Sequence, residues 1–140
     1  MITAVDSSVL LDVLADDRHR AASLRALHAA REGGALIVCP AVWAELRTFF
    51  PDPALMQRAL ASAEIRFDPF DQECADVAGD RWREYRGRGG SRHRITTDFL
   101  IGAHALVRAG RLLTRDRSFF RRYFTGLELA GTPVTYRVRH

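Results

Sequence analysis

The sequence predicts an α/β fold with a mainly parallel central sheet and helices on both faces. Short apolar runs alternate along the chain with longer stretches of helical periodicity, which is the signature of strand–helix alternation. No internal repeat, low-complexity tract or linker interrupts the pattern. The 140 residues are enough for one domain, 1–140, with a real hydrophobic core.

Each element has a local reason. Residues 2–5 (ITAV) form a strand candidate that ends at Asp6. Residues 9–14 and, more strongly, 18–32 are helical; in the second, Ala22, Leu24, Leu27 and Ala30 make an apolar stripe and Gly33-Gly34 stops it. A second strand covers 36–39. Pro40 suits the first turn of a helix reaching about residue 50. Pro51 and Pro53 break that helix, and 54–63 resumes one. Residues 65–67 are a third strand, 71–86 a long helix, and 87–91 (GRGGS) a loop. Thr96-Thr97 can cap a helix running to about 109, where Gly110 ends it. A fourth strand covers 112–114, a short helix 118–123 and a fifth strand 134–138.

Composition excludes several chemistries. All 21 basic residues are arginine, against 17 acidic ones, for a net charge of +4. With no lysine, the chain has no Schiff-base lysine, no phosphate-loop lysine and no lysine general base. Phosphoacceptor receiver domains and haloacid-dehalogenase-like phosphatases, which share this sheet type, both use a lysine, and the latter also want Asp-x-Asp where this chain has Asp6-Ser7-Ser8. Hydrophobic content of 47% and charged content of 27% are globular values. No apolar run is long enough to span a membrane, and the first residues do not read as a signal peptide. Cys39 and Cys74 read as buried free thiols of a cytoplasmic protein.

In doubly wound sheets, ligand sites lie outside the carboxyl ends of the strands. Asp6 ends the first strand and Asp116 follows the fourth, although a turn or helix-cap role would explain either alone. Glu45 sits on a helix face with Ala41, Val42 and Phe49 around it, so it needs a cation, strong donors, or an edge position that reaches water or an arginine. Asp98 opens a helix that is apolar nearly all round, where the helix dipole alone would suit it; His104 on this helix reads as a packed or surface residue. Together, Asp6, Glu45, Asp98 and Asp116 form an oxygen-only set, without His or Cys. Such a set suits Mg2+, or Mn2+, and a polyanionic substrate. Arginines can bind that substrate's phosphates: Arg88, Arg92, Arg94 and Arg115 are the candidates, while Arg81 and Arg83 read as a solvated helix face.

The segments Val5-Asp-Ser-Ser-Val-Leu-Leu-Asp, Val42-Trp-Ala-Glu-Leu-Arg, Thr97-Asp-Phe-Leu-Ile-Gly-Ala-His-Ala-Leu and Leu112-Leu-Thr-Arg-Asp-Arg-Ser-Phe-Phe occur in the order found in PIN-domain ribonucleases. The chain resembles that family, specifically the toxin half of VapBC-type toxin–antitoxin pairs. The resemblance implies a three-layer α/β/α sandwich and a Mg2+-dependent endoribonuclease whose acidic quartet is Asp6, Glu45, Asp98 and Asp116, supported by the hydroxyls of Ser7 and Thr114. It also implies a small cognate antitoxin in the cleft, for which Trp43, Phe49, Phe50 and Leu55 could line a groove, and a homodimer. Many relatives carry a further acid where this chain has Ser118. Asp12 matches a frequently acidic position and reads as a solvent-facing helix residue. The rival reading is a catalytically inactive PIN-like module that binds RNA or protein.

Overall fold

The computed structural model describes residues 1–16 and 18–130. Five strands form one parallel sheet: β1 (Thr3–Val5), β2 (Leu36–Val38), β3 (Ile65–Phe67), β4 (Arg111–Leu113) and β5 (Glu128–Ala130), in the order β3-β2-β1-β4-β5. Seven helices among the described residues flank it: α1 (Ser7–Ala15), α2 (Arg20–Gly33), α3 (Pro40–Arg47), α4 (Pro53–Ser62), α5 (Gln72–Gly87), α6 (Thr97–Arg108) and α7 (Arg117–Tyr123). The expected α/β sandwich is therefore observed. The chain winds from β1 outward to β3, then returns to the other side of β1 to lay down β4. That reversal puts the crevice between β1 and β4 at the carboxyl edge of the sheet.

Most elements lie where the sequence places them. Helix α1 begins at Ser7, two residues earlier than expected, because Asp6 already has the extended backbone of an N-cap. Helix α3 ends at Arg47 rather than near residue 50: the amides of Phe49 and Phe50 bond three residues back, to the carbonyls of Leu46 and Arg47, as the chain tightens ahead of Pro51. Strand β5 was not expected. Its sequence, Glu-Leu-Ala, has weak strand propensity, and it is ordered by pairing with β4, Leu112 facing Leu129. The strand expected at 134–138 lies outside the described residues.

The core is built from the strands and the inner faces of the helices. Val5, Ile37, Val38, Leu112 and Leu113 are buried in the sheet, with Val9, Val42, Leu46, Met56, Ile101 and Phe120 packed over it. Helix α6 is a core helix, as its apolar circumference predicts: Phe99, Ile101, Gly102, Ala103, His104 and Ala105 are all buried. His104 is a packed residue, its Nε2 lying 2.9 Å from Asp68 Oδ2, and Arg108 pairs with the same carboxylate. Arg81 is not solvated as expected; it donates to the Tyr123 carbonyl at 3.0 Å and covers the Phe124 ring, tying α5 to the end of α7. Cys39 and Cys74 are buried free thiols, as expected.

Gly102 shows how close this packing is. A Cβ there would stand 2.5 Å from the Phe124 ring, and Phe124 is itself buried. Gly102→Ala is therefore expected to destabilise the protein by about 1–3 kcal/mol through overpacking, read as a lower urea midpoint at unchanged slope. An unchanged midpoint would mean that the ring moves freely.

Candidate active site

Four carboxyl side chains from four separate segments share one electrostatic neighbourhood, Asp98 feeling the charges of Asp6, Asp116 and Glu45. Asp6 follows β1 directly, and its amide donates to the Leu113 carbonyl of β4 at 2.9 Å. Asp116 ends the connection from β4 to α7. Asp98 lies in the first turn of α6, and Glu45 on α3.

The helix-cap explanation for the two strand-end aspartates fails on inspection. Both occupy N-cap positions, Asp6 of α1 and Asp116 of α7, yet neither side chain makes a cap hydrogen bond. Asp52 and Asp71, at the N-caps of α4 and α5, do make them, accepting from the amides of Leu55 and Cys74 at 2.9 and 3.0 Å. The fold thus uses aspartate caps where nothing else is required and withholds them at the crevice.

Hydroxyl groups hold the carboxylates instead. Thr114 Oγ1 donates to Asp6 Oδ2 at 2.7 Å and accepts from the Asp116 amide at 2.9 Å, so one buried threonine links both aspartates. Ser8 Oγ donates to the same Asp6 oxygen at 2.9 Å. Glu45 is half-buried at an edge position, and no arginine pairs with it among the described residues. Its Oε1 accepts from Ser7 at 2.7 Å and its Oε2 from Thr97 at 3.4 Å. Ser7 and Thr114 therefore stand where the sequence puts them, beside the quartet. Ser8 and Thr97 were missed, although each adjoins a supporting or acidic residue already singled out.

Electrostatics joins the four groups. Burial, opposed by the Thr114 and Ser8 hydroxyls, pushes the Asp6 carboxyl above its ordinary value. Asp98 is pushed up to about 6, first by burial and then by the negative charges of Asp6, Asp116 and Glu45, with Arg92 acting the other way. A helix dipole acting alone on a first-turn aspartate would lower that value, so burial and like charge dominate. Clustered carboxylates of this kind need a cation or must take up protons.

The donor chemistry fits a hard divalent cation. Among the described residues, no three His, Cys, Asp or Glu side chains stand close enough to hold a metal ion as they lie. The four carboxyls share a field rather than a closed cage. Their oxygen-only donors are of the kind a hard divalent cation takes.

Two expectations are corrected here. Asp12 does not face solvent: it is 2% exposed, accepts from Ser23 at 2.7 Å and is gripped by Arg115. Arg115, expected among the phosphate contacts, pairs with that carboxylate through two hydrogen bonds. Arg88 pairs with Glu84 at 3.7 Å and lies over the Tyr123 ring. Arg92 and Arg94 are exposed.

The sequence profile of the PIN domain matches residues 3–124. The chain belongs to the PIN-domain family. Members of this family are generally nucleases. Solved structures share the fold of this PIN domain. A chain of VapBC2 from Rickettsia felis, bound to a DNA fragment from its promoter, superposes with a TM-score of 0.73 at 19% identity, covering 95% of this chain and 100% of that one. VapBC-1 from nontypeable Haemophilus influenzae gives 0.71 at 16%, covering 94% and 98%. DNA-bound VapBC from Salmonella typhimurium gives 0.68 at 16%, covering 95% and 99%. No curated protein sequence matches the chain significantly. Among the described residues, no helix of this PIN domain is long and apolar enough to cross a membrane.

Proposed function

We propose that this PIN domain is a divalent-metal-dependent endoribonuclease, the toxin half of a VapBC-type pair. The reading is supported by one observation: Asp98 feels the charges of Asp6, Asp116 and Glu45, which come from separate segments, and the two aspartates at helix N-caps make no cap hydrogen bond. Asp6, Asp98 and Asp116, with Glu45, are the residues that would hold Mg2+, or Mn2+ in its place. When bound, such an ion neutralises the carboxylates, polarises a phosphate and lowers the pKa of a water.

The chain's own groups supply the rest. Ser7 and Thr97 hold both oxygens of Glu45, which orients the attacking water and accepts its proton. Thr114 fixes the Asp6 oxygen and the Asp116 backbone together. In-line attack of the water oxygen at phosphorus breaks the bond to the 3′ oxygen, which takes a proton from solvent, leaving a 5′-phosphate and a 3′-hydroxyl. Arg92 and Arg94, exposed in the loop before α6, contact RNA phosphates, with Arg88 at the loop's start.

A partner antitoxin is supported by the solved VapBC complexes that share the fold and by exposed apolar side chains. Phe49 is 55% exposed and Leu55 39%, while Trp43 packs edge-on against the half-exposed Phe67. A basic antitoxin side chain would suit the negative field of the quartet. A homodimer working in the cytoplasm completes the proposal.

The spread of the carboxyls favours one rival, a PIN-like module that binds RNA without cutting it. Incubating RNA with the purified protein, first in chelator and then with Mg2+ or Mn2+, separates the two. The proposal expects cleavage only with metal and 5′-phosphate ends; binding without cleavage at any metal concentration would overturn it. Replacing Arg92 and Arg94 together by glutamine is expected to weaken RNA binding. It should also reduce the slope of log affinity against log salt by about 1.4, the share of two single-strand phosphate contacts.

A further inference from the structure

The connection between β4 and α7 is held to α1 and its N-cap through Thr114 and Arg115. Thr114 reaches Asp6, and the Arg115 amide donates to Ser8 Oγ at 3.2 Å. The Arg115 guanidinium meets Asp12 with two hydrogen bonds, Nε to Oδ2 at 2.6 Å and Nη2 to Oδ1 at 2.9 Å. Asp116 is tied back through its amide to Thr114. Ser8 and Asp12 are four residues apart on α1 and so share one helix face. That face is turned to the connection, and Ser23 of α2 anchors Asp12 from behind.

We propose that Arg115 and Asp12 are positioning residues: their ion pair latches the Asp116 loop onto α1 and sets the separation of Asp6 and Asp116. The inference rests on the reading of the quartet as the catalytic site. Three features point to a latch rather than to a general packing contact. The pair is bidentate, so it fixes orientation as well as distance. Asp12 is buried with a side-chain exposure of 3%, so water competes poorly for it. Arg115 stands between two residues that both contact the Asp6–Thr114–Asp116 network, and no comparable ion pair joins Asp98 or Glu45 to its neighbours among the described residues.

The latch also reassigns two charges. Asp12 is spent on Arg115 and is not a further acid of the site. Arg115, through its pair with Asp12, gives the loop its shape rather than its affinity for RNA.

Amide hydrogen exchange in the metal-free protein tests the latch without RNA or metal. In Arg115→Gln and in Asp12→Asn, which keeps an acceptor for Ser23, the Asp116 amide is expected to exchange at least about tenfold faster relative to the Ile37 amide of central β2. The double variant should be no faster than the faster single one, because either change opens the same latch. An Asp116-to-Ile37 ratio equal to that of the wild type would overturn the proposal, since a merely structural pair would move both amides together. In cleavage assays the same variants should lose about ten- to a hundredfold in kcat with KM for RNA unchanged. A raised KM, a flatter salt dependence and an unchanged kcat for Arg115→Gln would make it a phosphate contact and equally overturn the latch. A wild-type protein that never cleaves RNA would remove the nuclease reading, and the exchange ratio would still decide the latch.

Discussion

Asp98→Asn is expected to abolish metal-dependent RNA cleavage and, in chelator, to raise the melting temperature of the protein. The two effects share a cause. Asp98 carries a carboxyl held at about 6 by burial and by Asp6, Asp116 and Glu45, whereas an unfolded chain would hold it near ~3.9. The folded state therefore binds this proton more tightly. Its contribution to stability is full below the unfolded value and is lost as pH rises through about 6. Metal-free protein is thus less stable at pH 7 than at pH 4.5 on account of this group, and asparagine removes that loss. The side chain is partly exposed, so the gain after solvent screening is about 1 kcal/mol, or a rise of roughly 3–4 °C. Metal reverses the comparison. Mg2+ should stabilise the wild type and not the variant, because the ion uses the charge that asparagine lacks. Activity should fall by about a thousandfold or more, the scale for losing a preorganised electrostatic group. Cleavage assays beside melting curves with and without Mg2+ measure both. A variant that cuts RNA at the wild-type rate, or melts earlier than wild type in chelator, would remove Asp98 from the acidic set.

Phe99→Ala is expected to cost about 3–5 kcal/mol, the largest stability loss of any single core change considered. Phe99 adjoins Asp98 and is 1% exposed. Its ring meets Trp82 at 5.4 Å, Phe119 at 5.2 Å and Tyr85 at 5.5 Å, all with tilted or edge-on geometry. Edge-to-face pairs add about 0.5–1.5 kcal/mol each beyond area burial. The cluster joins α5, α6 and α7 at the end of α6 that carries the site, so its loss should also loosen the first turn on which Asp98 stands. The expected result is a fall in melting temperature of roughly 10–20 °C, together with a kcat loss larger than the unfolded fraction explains. Phe99→Leu, which keeps most of the volume, should recover most of both. A loss below about 1 kcal/mol for the alanine variant would show that the neighbouring rings close over the gap.

Much of this was legible in the residues because it depends on local periodicity and on residue type. β2 is continuously apolar (Leu36–Val38) and the runs at β1, β3 and β4 carry one polar residue each, which is close to how a largely covered parallel strand reads. The apolar circumference of α6 announced a core helix. The four acids stood out by chemical class: two after strands, one on an apolar face and one opening a core helix. What stayed hidden depended on partners distant in sequence. β5 is a strand because β4 offers an edge, and its own three residues say nothing of it. Asp12 lies on a short helix whose pattern leaves its outward or inward aim undecided until α2 and Arg115 are seen against it. Arg115 sits in an arginine-rich run, where each guanidinium looks alike until a buried carboxylate claims one.

The sequence by itself determined the order of strands and helices up to α7, the sheet type, the identity of the four candidate acids and the absence of any lysine chemistry. These follow from side-chain identity and near-neighbour spacing, which a linear chain displays. The tertiary structure alone decided which carboxylates share a field, which hydroxyls hold them, and which arginines remain exposed. Those outcomes depend on distances of a few ångströms between segments as far apart as Asp6 and Thr114. Such distances are set by strand order and helix packing, and the one-dimensional pattern carries no measure of them.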